Sequence, residues 1–151
     1  MTQRLDYQKL SAPGVRAVGG VYLYVANSGL PKTLLDLVFL RASQINGCAY
    51  CIDSHSRDLQ KEGVPVEKIM LLQAWREAGD LFSAKEKAAL QWAEEVTLVS
   101  ETHASDEAFA AVSAQFRPKE ISDLTLAIGV INTYNRLSIG FRRPPGDEPA
   151  A

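Results

Sequence analysis

The chain has 151 residues, a length typical of one domain, and its 46% hydrophobic and 23% charged residues are proportions of a folded rather than a disordered protein. Its formal net charge of −2 comes from 16 basic and 18 acidic residues with no dense Lys/Arg stripe, which argues against nucleic acid as a partner. No apolar run approaches the ~20 residues of a membrane span, and the first residues lack the hydrophobic segment of a signal peptide, so we expect a cytoplasmic protein with no membrane partner.

Apolar residues recur at spacings of three and four along the chain, and alternating Val/Ile/Thr runs are missing, so the sequence predicts an all-α fold of about six to seven helices. The pattern is divided into helices by residues that favour helix ends. Proline, serine and aspartate mark the starts, and glycine marks the ends. The predicted helices are 13–28, 31–46, 48–63, one through Ile69, Leu72 and Trp75, one from the Ser83–Glu86 capping box through Val99, one from Ser105 or Asp106 to Phe116, and one from Pro118. Residues 1–141 are expected to form a single domain and residues 142–151 a disordered tail.

The two cysteines, Cys48 and Cys51, are separated by two residues at the start of a predicted helix. A disulfide across so short a loop removes little unfolded-state entropy, so we expect the pair to serve chemistry rather than stability. On a helix Cys48, Cys51 and His55 fall within an arc of roughly 60°, and the cysteine Cα atoms lie roughly 5 Å apart, a distance that a reversible disulfide accepts. Unpaired N–H groups and the positive dipole end of a helix N-terminus favour the thiolate.

His55 lies one turn beyond Cys51, near enough to take its proton directly or through one water and so to create a nucleophile. Such a base needs a group that holds its tautomer and stabilises the imidazolium. Asp36 is the candidate, because it is the one acid in the predicted helix 31–46, which is apolar on every side and therefore expected to be central and buried.

Simpler interpretations of the same residues stay open. The cysteines can be small buried hydrophobes, and His55 a surface residue. The Cys-x₂-Cys-x₃-His spacing supplies three zinc ligands where a structural site has four, and His103 lies far along the chain. Asp36 can form an i,i+4 ion pair with Lys32. We expect no cofactor, because there is no Gly-x-Gly-x-x-Gly segment, and no thioredoxin fold, because the βαβ pattern is missing.

Residues 34–55, with the sequence LLDLVFLRASQINGCAYCIDSH, resemble the core motif of the AhpD-like alkylhydroperoxidases within the carboxymuconolactone decarboxylase superfamily, and residues 100–103 and 131–136 are also similar to that family. The resemblance implies an all-helical subunit that assembles into homotrimers or homohexamers and reduces hydroperoxides through a Cys-x-x-Cys pair. In the family a Glu twelve residues before the first Cys relays protons through the His to the thiols. Here that residue is Asp36, whose carboxylate is about 1.5 Å shorter in reach.

The sequence thus predicts a thiol-dependent hydroperoxide reductase in antioxidant defence. Cys51, nearer His55, attacks the peroxide and becomes a sulfenic acid, and Cys48 condenses with it to a disulfide that an external thiol or disulfide reductase reduces. The roles of the two thiols can be exchanged, because Cys48 lies nearer the helix end. The alternatives are a thiol–disulfide reductase or adaptor for a partner peroxidase, a non-enzymatic redox sensor, and a cofactor-independent decarboxylase-like enzyme.

Overall fold

The computed structural model describes residues 2–146, and within them the chain forms nine α-helices and two 3₁₀ turns with no β-strand. The all-α prediction is therefore confirmed. The helices are α1 (Tyr7–Leu10), α2 (Ala12–Ala26), α3 (Lys32–Asn46), α4 (Ala49–Lys61), α5 (Val66–Leu71), α6 (Ala84–Thr97), α7 (Val99–Thr102), α8 (Asp106–Ser113) and α9 (Pro118–Phe141). Among these helices, none combines the length and the apolar run that crossing a bilayer requires.

Local capping chemistry sets several of these boundaries as predicted. The Ser83 hydroxyl accepts the Glu86 N–H at 3.2 Å, and the Glu86 carboxylate accepts the Ser83 N–H at 2.7 Å, which completes the capping box of α6. The Ser105 hydroxyl accepts the Ala108 N–H at the start of α8, and Pro118 opens α9.

Some predicted helix boundaries differ from the structure, and one short helix was not predicted. The helix expected through Val99 ends at Thr97, where Leu98 leaves helical geometry before the short α7. The helix expected through Trp75 ends at Leu71 and tightens into a 3₁₀ turn. The sequence also missed α1, because a four-residue helix is too short to show a 3.6-residue period.

Helix α3 lies at the centre of the molecule and packs against α4, α6 and α9. Its apolar side chains are buried on all sides, with Leu37, Val38, Leu40 and Ala42 at most 1% exposed, which agrees with the prediction of a central helix. One hydrophobic cluster joins α3 to α2, α6, α8 and α9, and a second joins it to α4, α5 and the 3₁₀ turn after α5. The start of α4 is therefore held against a rigid centre.

The first residues of the predicted tail lie against α4. Arg143 stacks on Tyr50, and the Gly146 N–H donates to Asp53 at 3.1 Å. Residues 147–151 lie outside the described residues, so the tail expected over 142–151 stays a prediction.

Candidate active site

The turn between α3 and α4 sets the position of the cysteine pair. Gly47 ends α3 in the left-handed region, with φ 70°. Its N–H donates to the Gln44 carbonyl at 3.2 Å, and the next N–H, that of Cys48, donates to the Ser43 carbonyl at 3.0 Å. This is the Schellman arrangement, which favours glycine because a Cβ is strained at positive φ. One residue type thus fixes both the end of α3 and the direction in which Cys48 leaves it.

Cys48 is the N-cap of α4 and is disulfide-bonded to Cys51, with their Cα atoms 5.4 Å apart. Its carbonyl accepts the Ile52 N–H at 2.9 Å, and its Sγ accepts the Cys51 N–H at 3.4 Å. The structure therefore brings the two sulfurs together at the helix N-terminus, where backbone N–H groups are available to stabilise a thiolate. Both cysteines are buried.

A buried amide network next to this turn ties α3 to α9. The Asn46 side-chain amide donates to Asn132 Oδ1 at 2.9 Å and to Asn135 Oδ1 at 2.8 Å. Asn135 in turn donates to the Ser43 hydroxyl at 3.0 Å. Sequence analysis singled out residues 131–136 only by resemblance, and the structure gives them a positional role beside Gly47.

Asp36 divides its two carboxylate oxygens between Lys32 and His55. Oδ2 accepts from Lys32 Nζ at 2.7 Å, and Oδ1 lies 3.4 Å from Nδ1 of His55, within ion-pair distance but outside hydrogen-bond geometry. Lys32 also pairs with Glu62. Asp36 thus makes both the i,i+4 ion pair with Lys32 and the contact with His55.

The charges of this cluster are set by its contacts. Burial raises the pKa of Asp36, but His55 and Lys32 outweigh it and hold that pKa below its ordinary value, so the carboxylate is ionised at neutral pH. Burial lowers the pKa of Lys32, and the Asp36 and Glu62 carboxylates more than reverse this. Burial, and next the Asp36 charge, raise the pKa of the Tyr22 hydroxyl. An anion and a cation are therefore fixed beside the imidazole.

Cys51 and His55 share the wall of a cavity of about 310 Å³. Its remaining lining side chains come from α1, α2, α3, α4, α9 and the segment after α9. These are Gln8, Val15, Tyr22, Phe39, Tyr50, Ser54, Asp58, Val130, Ile131, Tyr134 and Arg143. Phe39 packs against the His55 ring with centroids 5.1 Å apart. The cavity is thus mostly aromatic and aliphatic, with its polar groups on α4 and at its edge.

Cys48 lies on a different opening. It lines a second cleft of about 440 Å³ with Ser138, Ile139 and residues 142–145. Tyr50 and Arg143 line both spaces, so their stacked side chains form the wall between them. The two cysteines thus line different spaces, Cys51 the first cavity and Cys48 the second cleft.

Several site residues were missed by sequence analysis. Tyr22 and Arg143 reach the cavity only through the packing of α2 and α9 on α3, which no local pattern shows, and Tyr134 was noted only as part of the segment 131–136. Asp58 was detectable, because it lies three residues after His55 on the same helix. His103 ends α7 and is not among the described residues that line the cavity.

The donor atoms of Asp36, His55 and Asp58 lie within 4.8 Å of one another, a separation that a metal ion could bridge. However, Lys32 already binds the Asp36 carboxylate. In the zinc arrangement weighed above, thiolates would be ligands, whereas here the sulfurs are bonded to each other. At Asp36, a metal ion would therefore compete with the ammonium group of Lys32 for the carboxylate.

Comparisons of this chain with a family profile, with curated proteins and with solved structures agree with one another. Residues 14–95 match the profile of the carboxymuconolactone decarboxylase family. YdfG, an uncharacterized protein of Bacillus subtilis, is 37% identical over 93% of this chain and 95% of its own length. A crystal structure of an Agrobacterium tumefaciens protein of unknown function, described as an antioxidant defence protein of the AhpD type, superposes with a TM-score of 0.93 at 40% identity, covering 97% of this chain and 100% of that one. An alkyl hydroperoxide reductase AhpD of Bradyrhizobium sp. is 44% identical over 45 residues, which are 30% of this chain and 25% of that enzyme.

Proposed function

Because the chain belongs to the carboxymuconolactone decarboxylase family and carries a cysteine pair at a helix N-terminus, we propose that it is a thiol-dependent hydroperoxide reductase. The observation that carries the proposal is the cavity that Cys51 shares with His55, whose Nδ1 faces Asp36. A nucleophile, a base and an orienting acid then lie around one space that can hold a small molecule. We further propose that the enzyme acts in the cytoplasm, where thiol reductants are available.

In the first step, His55 takes the proton of the Cys51 thiol, and the thiolate attacks the terminal oxygen of the hydroperoxide. An S–O bond forms while the O–O bond breaks, so that two electrons pass from sulfur to the peroxide and Cys51 becomes a sulfenic acid. The departing alkoxide receives the proton from His55 and leaves as the alcohol. Asp36 keeps the imidazole oriented and stabilises its charged form between these transfers.

In the second step, the Cys48 sulfur attacks the sulfenic sulfur of Cys51. An S–S bond forms, the S–O bond breaks, and the hydroxyl leaves as water with the thiol proton of Cys48. An external dithiol then returns two electrons and two protons through a mixed disulfide and is itself oxidised. The second cleft, which Cys48 lines, supports entry of that donor on the side away from the peroxide.

The first prediction concerns the cysteines. With cumene hydroperoxide as substrate and dithiothreitol as donor, we expect Cys51→Ser to abolish peroxide consumption because the attacking sulfur is lost. When dithiothreitol is left out, Cys48→Ser should consume about one equivalent of peroxide and stop at a Cys51 sulfenic acid, seen as one added oxygen by mass spectrometry, whereas the wild type should stop at the disulfide. The reverse pattern would assign attack to Cys48, and full activity in both variants would reject the proposal.

The chain offers a matched control for the base, because it has two histidines. His55→Asn should lower kcat/KM by about a hundredfold, the usual contribution of a positioned general base. His103→Asn should leave it within twofold, since asparagine tolerates the left-handed conformation of that residue.

The second cleft also favours one alternative function, a thiol–disulfide reductase that serves a partner peroxidase. In that case the wild type would reduce a protein disulfide faster than it reduces any hydroperoxide, and Cys48 would be the attacking thiol. Comparing the two rates in the same enzyme preparation separates the candidates. A Cys48→Ser/Cys51→Ser double variant is the control, because a decarboxylase-like activity would survive it.

A further inference from the structure

Arg143 is held at the edge of the cavity by the end of α9. Arg142 adopts φ 55°, and its N–H donates to the Ile139 carbonyl at 3.2 Å, while the Arg143 N–H donates to the Ser138 carbonyl at 2.9 Å. These two hydrogen bonds form a Schellman cap, so the backbone of Arg143 is part of the helix terminus. Its side chain therefore starts from a fixed point beside the cavity.

The guanidinium group of Arg143 stacks on the Tyr50 ring, with the central carbon 3.8 Å from the ring centroid. Stacking uses the flat face of the guanidinium and leaves the N–H groups along its edge available. Those N–H groups match the two oxygens of a carboxylate. Tyr50, Cys51 and Arg143 all line the first cavity, so the guanidinium and the proposed attacking sulfur border the same space.

The charges around the cavity are compensated unequally. Asp36 is paired with Lys32 at 2.7 Å, and Asp58 is paired with Lys61 at 3.4 Å, so the two acids beside His55 each have a cation. Across residues 2–146, no carboxylate lies within ion-pair distance of Arg143. The lining of the cavity therefore presents one cation without an anion.

We propose that Arg143 is an anion-binding subsite and that the substrates of this chain are small organic hydroperoxides that carry a carboxylate. This inference extends the proposed function and rests on it, because the bound hydroperoxide is a substrate only if the chain is a hydroperoxide reductase. Arg143 binds the carboxylate, and the hydrocarbon part packs against Val15, Phe39 and Val130. At about 310 Å³ the cavity is at the small end of the range for small-molecule sites, so the hydrocarbon part is short or a single ring.

Binding without turnover tests the subsite. Calorimetry compares 4-isopropylbenzoate with the neutral 4-isopropylbenzyl alcohol, which has a similar shape. We expect Arg143→Gln to weaken binding of the benzoate about tenfold and to leave the alcohol within twofold. Arg143→Lys should recover part of the benzoate affinity, and Arg142→Gln, a neighbour that lines only the second cleft, should change neither ligand. Equal benzoate affinity in wild type and Arg143→Gln would overturn the proposal, provided that circular dichroism shows a folded variant.

Kinetics connect the subsite to the reaction. The wild type should reduce 4-carboxycumene hydroperoxide with a kcat/KM about tenfold above that for cumene hydroperoxide, and in Arg143→Gln the ratio of these two kcat/KM values should fall to about one. Equal rates with both peroxides in the wild type would reject the substrate class and leave the reductase function standing. Arg143-dependent benzoate binding with no reduction of either peroxide would reject the reductase function and leave the anion subsite standing.

Discussion

Asp36 is the residue at which this chain departs from the glutamate of the family it resembles, and its contacts show how the shorter acid is accommodated. Its Oδ1 lies 3.4 Å from His55 Nδ1, about 0.5 Å beyond an ordinary N–H···O hydrogen bond. Although the aspartate side chain is shorter than that of glutamate by about 1.5 Å, the packing of α3 on α4 leaves its carboxylate within ion-pair distance of the imidazole. Lys32 holds the other oxygen and keeps the carboxylate from turning away.

These contacts predict that two substitutions of Asp36 have different effects on the rate. Asp36→Asn should lower kcat/KM for hydroperoxide at least tenfold, because a neutral amide no longer stabilises the imidazolium that forms during proton transfer. Asp36→Glu should keep at least the wild-type rate, because the longer side chain closes the gap to Nδ1. Steady-state kinetics at pH 7 measures both.

The exposed acid Asp80 supplies the control, and Asp80→Asn should leave the rate within twofold. An Asp36→Asn variant with the wild-type rate would show that the carboxylate takes no part in the relay.

The residues of the site differ in how far the sequence reveals them. Cys48, Cys51 and His55 are detectable because helical spacing relates them along α4, and Asp36 is detectable because it is the one acid in an otherwise apolar helix. Tyr22, Tyr134 and Arg143 are not detectable in this way, since they come from helices at opposite ends of the chain. A local periodicity carries no information about which distant helix packs on which face.

At the scale of elements, the junction of α3 and α4 depends on one backbone conformation. The Gly47 turn lets the Cys48 N–H close α3 while the Cys48 carbonyl opens α4. A Cβ built on Gly47 would meet no atom within 4 Å, so the restriction there comes from φ 70° and not from crowding. The glycine stop was predicted for this reason, whereas the end of α6 at Thr97 was missed because Leu98 is no helix breaker by propensity.

Gly47→Ala is therefore expected to lower the free energy of unfolding by about 1 kcal/mol, the usual cost of an alanine in the left-handed region. Urea unfolding followed by circular dichroism measures the change. Gly20→Ala is the matched control, because Gly20 is inside α2 with open space around it and alanine is the better helix former. That variant should raise the free energy of unfolding by about 0.5 kcal/mol, so the two substitutions are expected to change stability in opposite directions. If Gly47→Ala had the same free energy of unfolding as the wild type, the left-handed conformation of Gly47 would not be what requires glycine at this turn.

At the scale of the whole molecule, a single carboxylate joins the two sides of the structure. Glu94 on α6 accepts from Arg41 of α3 at 2.7 Å and from the Trp75 indole N–H at 2.8 Å, and it also pairs with Arg76. Burial raises the pKa of Glu94, but the donors of Trp75, Arg76 and Arg41 outweigh burial and hold that pKa below its ordinary value. The junction of α3, α6 and the segment after α5 therefore depends on an ionised group.

The direction of this shift fixes how stability responds to acid. A carboxyl whose pKa is lower in the folded than in the unfolded chain stabilises the fold at every pH above the unfolded value of about 4.3, and this contribution is lost as the pH falls through the folded value. Stability should therefore decline below about pH 4, and the pKa of Glu120, which hydrogen bonds from Arg117 lower to about 2, adds to the same decline.

Glu94→Gln isolates the contribution of the charge, because glutamine keeps an acceptor oxygen of the same reach but does not titrate. At pH 7 we expect the free energy of unfolding to fall by about 2 kcal/mol, since two arginines lose their anion. Between pH 5 and 3 the variant should lose less stability than the wild type, because one of the shifted carboxyls is gone. Urea unfolding at several pH values measures both effects, and Glu101→Gln, at an exposed residue, should reproduce the wild-type slope. Equal slopes in wild type and Glu94→Gln would show that this buried carboxylate does not govern the response to acid.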